Sequence, residues 1–589
     1  MNLTTTEESV YNLEPISSPR LAGTVLKVLP KLLRIPIIGN MILYFLKKKN
    51  KFHKVISLAS DLSILPLYYP LHEMTDEERQ EHDNMIDASP LSLEELVNLK
   101  PSHSDENMEG GDPPFRHWTI YDFTTKYKNG EITPTEVVKR VIKLARETKD
   151  KNPMIVFINE EDALKEACES TKRYEQGTSK GVLDGVPIAV KDEIPVKGYH
   201  VARGTTFMEE KVENDFPPIS RLRQQGAIII GKTNQHELGL GTTGYNQNYG
   251  TPRNPYNTDY YTGGSSSGSA AAVSSGLVPL TIGTDGGGSV RIPAALCGIY
   301  GLKPTFKRVS ADFDLAPSVE SIGPIAGSLN DLALGYAIMS GATTDDFRHQ
   351  SLLQPNVHLF NYINPPRSLD DVKIGYFKAH INDADQAIVD ATMRAIEFYQ
   401  SLGAQIIEIE IPHLQEIHLS HAITILSEAY TSTSKYYVTN KNDYSGEVQI
   451  SLEIARSFSS CDFLSAQKVC SYAMDFIEDL FRTKVQVLIS PATASVAPKI
   501  ENDILSHGES NLTQTAALMK YMILGNFTGI PGLVFPIGYD GNGLPISILL
   551  QAGHWREDLL FRLAKVGEES LLPGGIRKPS EYKGVGLNE

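Results

Sequence analysis

The chain has 589 residues, 41% of them hydrophobic, with 46 glycines and a formal net charge of −16. That composition excludes a disordered chain and fits a large α/β enzyme, and so acidic a surface argues against a nucleic-acid partner. Four cysteines without metal-ligand spacing make neither a disulfide framework nor a metal site, so a reducing compartment is expected.

The charge is unevenly placed. Residues 20–54 carry nine Lys/Arg and no acid, around the apolar run 35–46. That run is too short to span a bilayer, which takes about 20 residues, and Pro30 and Pro36 are expected to break any helix there. The N-terminus lacks the layout of a signal peptide. Two compatible readings follow for residues 1–70: a leader lying on a membrane surface with its lysines on anionic head groups, and a helical cap folded over the main body. From Glu73 to Asp112 there are thirteen acids against two bases, and residues 71–117 read as an acidic, solvated connector.

From Trp118 to the end (118–589) strands and helices alternate without a linker, which predicts one large α/β domain with a mixed sheet. Thr133-Pro-Thr-Glu136 is a helix start with Thr as N-cap, Pro at N1 and Glu at N3. Residues 186–190, 227–230, 485–490, 533–537 and 546–550 read as strands, 270–275 as a helix, and 342–370 as a surface excursion.

The chemistry lies in two glycine-serine clusters, Gly263-Gly-Ser-Ser-Ser-Gly-Ser269 and Gly283-Thr-Asp-Gly-Gly-Gly-Ser289. Three successive glycines can turn their N–H groups onto one point, and Ser289 at their end can attack a carbonyl whose oxyanion they hold. One serine of the first cluster is expected to cap the following helix; another is free to pass a proton. No histidine is near in sequence. Lys191 follows a five-residue apolar run, and a lysine desolvated there can serve as a base when neutral, so activity should rise toward alkaline pH.

Three other patterns compete. Gly226–Thr233 fits the phosphate-loop spelling, but three isoleucines in it form a strand rather than a loop. Gly264–Gly268 fits a nucleophile elbow around Ser266, with His421, His507 and His554 as nominal partners. His236-Glu237 begins a zinc pattern that fails at Leu240.

The second cluster continues through Val290-Arg-Ile-Pro293 to Cys297-Gly-Ile-Tyr-Gly-Leu-Lys-Pro-Thr305, and together the segments resemble the amidase signature family over residues 118–569. Gly239–Gly250, Tyr261–Ser269 and the leader ending Leu43–Asn50 are most similar to its plant-type fatty acid amide hydrolases. The resemblance implies a single amidase-signature domain with a twisted mixed sheet flanked by helices. It implies Ser289 as nucleophile, Ser265 as bridging serine after a cis peptide, and Lys191 as base. The N–H groups of Gly286, Gly287, Gly288 and Ser289 would hold the oxyanion, with Asp285 and Arg291 ordering the loop. No metal or cofactor is implied. The expected substrates are fatty acid amides such as N-acylethanolamines, entering a channel under the leader and residues 423–464. The expected setting is a homodimer inside the cell, peripheral on the endoplasmic reticulum or plasma membrane through residues 20–54. Two rivals share parts of the pattern: a glutamine amidotransferase of the A type, and a lipid-binding protein without turnover.

Overall fold

The computed structural model describes residues 10–88, 91–101, 115–310, 315–341, 356–366, 368–504, 507–568, 570–572 and 575–585. Its centre is an eleven-stranded sheet. In chain order the strands are β1 (Ile155–Ile158), β2 (Pro187–Lys191), β3 (Ile228–Thr233), β4 (Leu280–Asp285), β5 (Tyr300–Lys303) and β6 (Ser321–Ala326). They continue as β7 (Lys373–Tyr376), β8 (Gln405–Glu408), β9 (Val487–Pro491), β10 (Gly532–Tyr539) and β11 (Pro545–Ala552). They lie side by side as β8-β7-β9-β11-β10-β5-β6-β4-β2-β3-β1. β2 runs parallel to β3 and β4, and β7 parallel to β8 and β9. The remaining neighbours are antiparallel, so the sheet is mixed.

The inner strands are buried on both faces, which is why they read in sequence as unbroken apolar runs rather than alternating ones. The helix Pro134–Thr148 starts with the capping box expected at Thr133 and Glu136. It buries Val137, Val138, Val141, Ile142 and Ala145 at helical spacing. The parallel register of β2 and β4 (Ile188 beside Leu280, Val190 beside Ile282) brings their C-terminal ends out at one edge. Side chains just past those ends therefore meet, the usual place for a ligand in an α/β sheet.

Among the described residues no single helix is long and apolar enough to cross a membrane. The leader forms α1 (Gly23–Leu33), α2 (Pro36–Lys49) and α3 (His53–Asp61), with α1 and α2 meeting at a 110° bend. Pro30 does not break a helix; it sits within α1. The break falls at Arg34–Ile35, because Pro36 drives the residue before it into an extended conformation (Ile35 φ −77°, ψ 115°) and then starts α2. Leu26, Leu33 and Leu43 pack on Ile450 and Ile454 of the helix Gly446–Arg456, and Arg34 bonds Glu453 at 3.0 Å. The outer side keeps Val25, Ile37, Met41, Tyr44 and Phe45 exposed, Ile37 at 84%.

The acidic stretch is more structured than a solvated connector. It holds α4 (Asp76–Ala88) and α5 (Leu93–Val97), while residues 102–114 lie outside the described residues. Thr75 and Glu78 form reciprocal side chain-to-backbone bonds, and three acids fill the first turn of α4, where the helix dipole favours them. His82, Leu96 and Val97 are buried. Of the expected surface excursion 342–370, residues 342–355 and 367 lie outside the described residues; Leu359, Tyr362 and Leu369 are buried in the core.

Candidate active site

Lys191 is the last residue of β2, and Thr284 sits at the end of β4 beside it. Lys191 Nζ donates to Ser265 Oγ at 2.7 Å and to Thr284 Oγ1 at 2.8 Å, and lies 2.7 Å from Glu193 Oε1. Three oxygen atoms thus surround Nζ, a shell matched to the three N–H donors the amine carries once it has taken up a proton. The Thr284 hydroxyl donates to Glu193, as does Gln235 Nε2 at 3.2 Å. Lys191, Ser265, Thr284 and Glu193 are all buried. Burial pushes the Glu193 carboxyl up, but the Lys191 charge and the bonds from Lys191, Thr284 and Gln235 hold it below the usual carboxylate range.

Ser265 follows a cis peptide at Gly264 and heads the buried helix Ser267–Ser274. None of its serines supplies the expected cap: Ser266 occupies the N-cap position without a capping bond. Ser266 instead reaches the Thr284 carbonyl at 3.3 Å, and Ser269 pairs with Thr233 at 2.6 Å. These hydroxyls stitch the helix to neighbouring strands, a competing use of a short side chain inside a core. The Ser266 N–H donates to the Ser289 carbonyl at 3.2 Å, tying the two glycine-serine loops together.

The loop Gly286–Ser289 is folded around Asp285. Its carboxylate accepts the N–H groups of Gly288 (2.7 Å), Val290 (3.2 Å) and Arg291 (3.3 Å). The Arg291 guanidinium at 2.9 and 3.0 Å and Asn526 Nδ2 at 2.9 Å complete its shell. Burial would raise this carboxyl, yet Arg291 and Asn526 hold it far below its ordinary value. Asp285 and Arg291 thus order the loop. Gly288 has φ +109°, and a Cβ there would stand 2.7 Å from Met522 Cγ. Its N–H is committed to Asp285, so it does not belong with the oxyanion donors expected from the sequence. The N–H groups of Gly286, Gly287 and Ser289 find no acceptor among the described residues.

Ser265, Ser289, Gly286 and Gly287 open onto a cavity of about 400 Å³, within the range of small-molecule sites. Most of its surface is apolar, with Leu419, Ile425 and Ala429 of the helix Leu414–Asn440, Met519, and Leu46 and Phe52 of the leader; Lys47, Asp383, Glu447 and Lys520 also line it. The N-terminal segment of the leader also reaches it, held by Tyr11 to Asp383 (2.5 Å) and Asn12 to Glu416 (2.7 Å). Glu320 lines the cavity with Oε2 unpartnered among the described residues; burial, then the Glu193 charge, pushes its carboxyl well above the usual range.

The structure thus brings Lys191 and Ser265 into contact and sets Ser289 on the same cavity. The phosphate-loop pattern is strand β3, with Lys232 Nζ buried and donating to the Asp192 and Ile194 carbonyls at 2.7 and 2.6 Å. Sequence reasoning missed Glu193, Thr284 and Glu320, and offered His421 only as a nominal partner for Ser266; its Nε2 instead donates to the Gly286 carbonyl at 2.7 Å. Glu193 had a signal, two residues beyond the lysine; the others come together only through the fold.

The chain belongs to the Amidase family, which it matches over residues 136–561, and is an amide hydrolase. The fatty acid amide hydrolase of Arabidopsis thaliana is 37% identical, across 97% of this chain and 96% of its own length. That of Medicago truncatula is 34% identical, across 98% and 96%. The A-type component of the glutamyl-tRNA(Gln) amidotransferase of Agathobacter rectalis is 30% identical, across 76% of this chain and 92% of its own. Among solved structures, a crystal structure of an amidase shares 25% identity over 76% of this chain and 99% of its own, with a TM-score of 0.67. The peptide amidase of Stenotrophomonas maltophilia shares the fold at a TM-score of 0.65, with 24% identity over 78% of this chain and 98% of its own.

Proposed function

We propose that the protein is a serine amidase that hydrolyses fatty acid amides, N-acylethanolamines among them, to a free fatty acid and an amine. Ser289 Oγ attacks the carbonyl carbon; its proton passes to Ser265, which gives one to a neutral Lys191. The developing oxyanion is held by the free N–H groups of the Gly286–Ser289 loop. Glu193 stabilises the lysine ammonium formed in this step. On collapse the proton returns through Ser265 to the leaving nitrogen, the C–N bond breaks, and the acyl group stays on Ser289 until water releases it. The observation that carries this reading is the 2.7 Å contact of Lys191 with Ser265 at the rim of an apolar cavity that Ser289 also lines.

The outer face of the leader, apolar side chains beside the exposed Lys27, Lys31, Lys48 and Lys49, suits an anionic membrane surface from which a lipid amide is drawn. We extend the reading to a homodimer bound peripherally to an intracellular membrane. The amidotransferase alternative is less favoured, because most of the cavity surface is apolar, with charged groups such as Lys47, Asp383, Glu447 and Lys520 a minority of its lining. The test is product release: oleoylethanolamide should yield free oleate, and glutamine should yield no ammonia. The opposite pattern would overturn the reading.

A further inference from the structure

His421 lies on the helix Leu414–Asn440, buried to 1% exposure. Its Nε2 is 2.7 Å from the Gly286 carbonyl oxygen. A carbonyl only accepts, so Nε2 carries the proton. Burial pushes the imidazole down to about 4, so the ring is neutral and Nδ1 bears no hydrogen; Nδ1 has no partner among the described residues. The ring lies close to the loop: a Cβ at Gly287 would stand 3.3 Å from its Cε1 and 2.5 Å from Met519 Cε.

The Gly286–Gly287 peptide is trans, so its C=O and N–H point in opposite directions. Drawing the Gly286 oxygen onto His421 turns the Gly287 N–H away from the helix, and that N–H has no acceptor among the described residues. The same helix presents Leu419, Ala422, Ile425 and Ala429 to the cavity.

We propose that His421 is a positioning residue: it holds the Gly286–Gly287 peptide in the orientation that offers the Gly287 N–H to the oxyanion, and so links the helix that contacts the acyl chain to the donor that stabilises the transition state. This rests on the reading of Ser289 as nucleophile. His421 does not touch the substrate's reacting atoms. Without it the peptide is free to rotate, and an unoriented donor gives back part of what a preorganised one supplies.

The test compares wild type, His421→Leu and His421→Gln on oleoylethanolamide, with a long-chain trifluoromethyl ketone as a mimic of the tetrahedral intermediate. Gln keeps an N–H near the position of Nε2. The Leu variant should lose kcat by roughly 10- to 100-fold with KM little changed, since a full oxyanion donor is worth on the order of 10²–10³. Ketone inhibition should weaken in proportion, and Gln should recover most of both. Should Leu not fold, His421→Asn, too short to reach the carbonyl, takes its place with the same expectation. A loss confined to KM, an unchanged ketone affinity, or a Gln variant no better than Leu would overturn the assignment. A wild type that neither cleaves the amide nor binds the ketone would instead sink the functional reading, and this inference with it.

Discussion

On one side of the cavity Lys191, Ser265, Thr284 and Glu193 are buried, each bonded to at least one of the others at or below 2.8 Å. On the other, Leu46 and Phe52 of the leader and Ile425 and Ala429 of the long helix offer apolar surface only. The first side is specified by direction: each donor has its acceptor, and moving one group leaves a buried partner unpaired, which is costly. The second is specified by shape, and hydrophobic contact tolerates replacement by anything of similar volume. The proposed function thus puts chemistry and substrate choice on parts of the fold with different tolerance to change.

This contrast can be broken at four points. Lys191→Ala should lower kcat by on the order of 10²–10⁴, the usual range for a positioned base, with folding judged by an unchanged circular dichroism spectrum below the melting range. A milder effect is expected from Glu193→Gln, which removes the counter-charge of the ammonium: kcat should drop roughly tenfold, about 1.4 kcal/mol in barrier. A variant with unchanged kcat would make Glu193 structural. On the outer face of the leader, replacing the exposed Ile37, Met41, Tyr44 and Phe45 together by Ser should weaken binding to anionic vesicles roughly fivefold, about 1 kcal/mol. It should leave kcat/KM for a short soluble amide unchanged; equal losses in both assays would mean that the leader matters for folding and not for docking.

The smallest effect concerns stability. Glu320 has its carboxyl raised by burial and then by the Glu193 charge. The folded state therefore favours its protonated form. That contribution is complete below the unfolded value and is lost as pH rises through the folded one. Gln has no such loss. The melting temperature of Glu320→Gln relative to wild type should thus climb between about pH 5 and about pH 8, and a constant difference would contradict the assigned direction.

How much of this was legible in the sequence depends on whether the signal was local. Lys191, Ser265 and Ser289 stand in short patterned segments, and β2, β3, β9, β10 and β11 were legible as apolar runs because both their faces are buried. The withdrawal of Gly288 from the oxyanion donors was not legible, because it depends on the Asp285 carboxylate folding back over the loop. His421 reaches Gly286 from a helix far along the chain, and a histidine among apolar helix residues carries no mark of such a role. The acidic stretch differs from its expectation for another reason. Its net charge masks a capping box at Thr75 and Glu78 that is present in the letters.

The account stands most directly on Ser289, and intact-protein mass after exposure to a long-chain fluorophosphonate tests it. A single adduct on the wild type and none on Ser289→Ala is the predicted result. An adduct that persists in Ser289→Ala, or a wild type left unlabelled, would contradict the assignment of Ser289 as the nucleophile of an acyl-binding site.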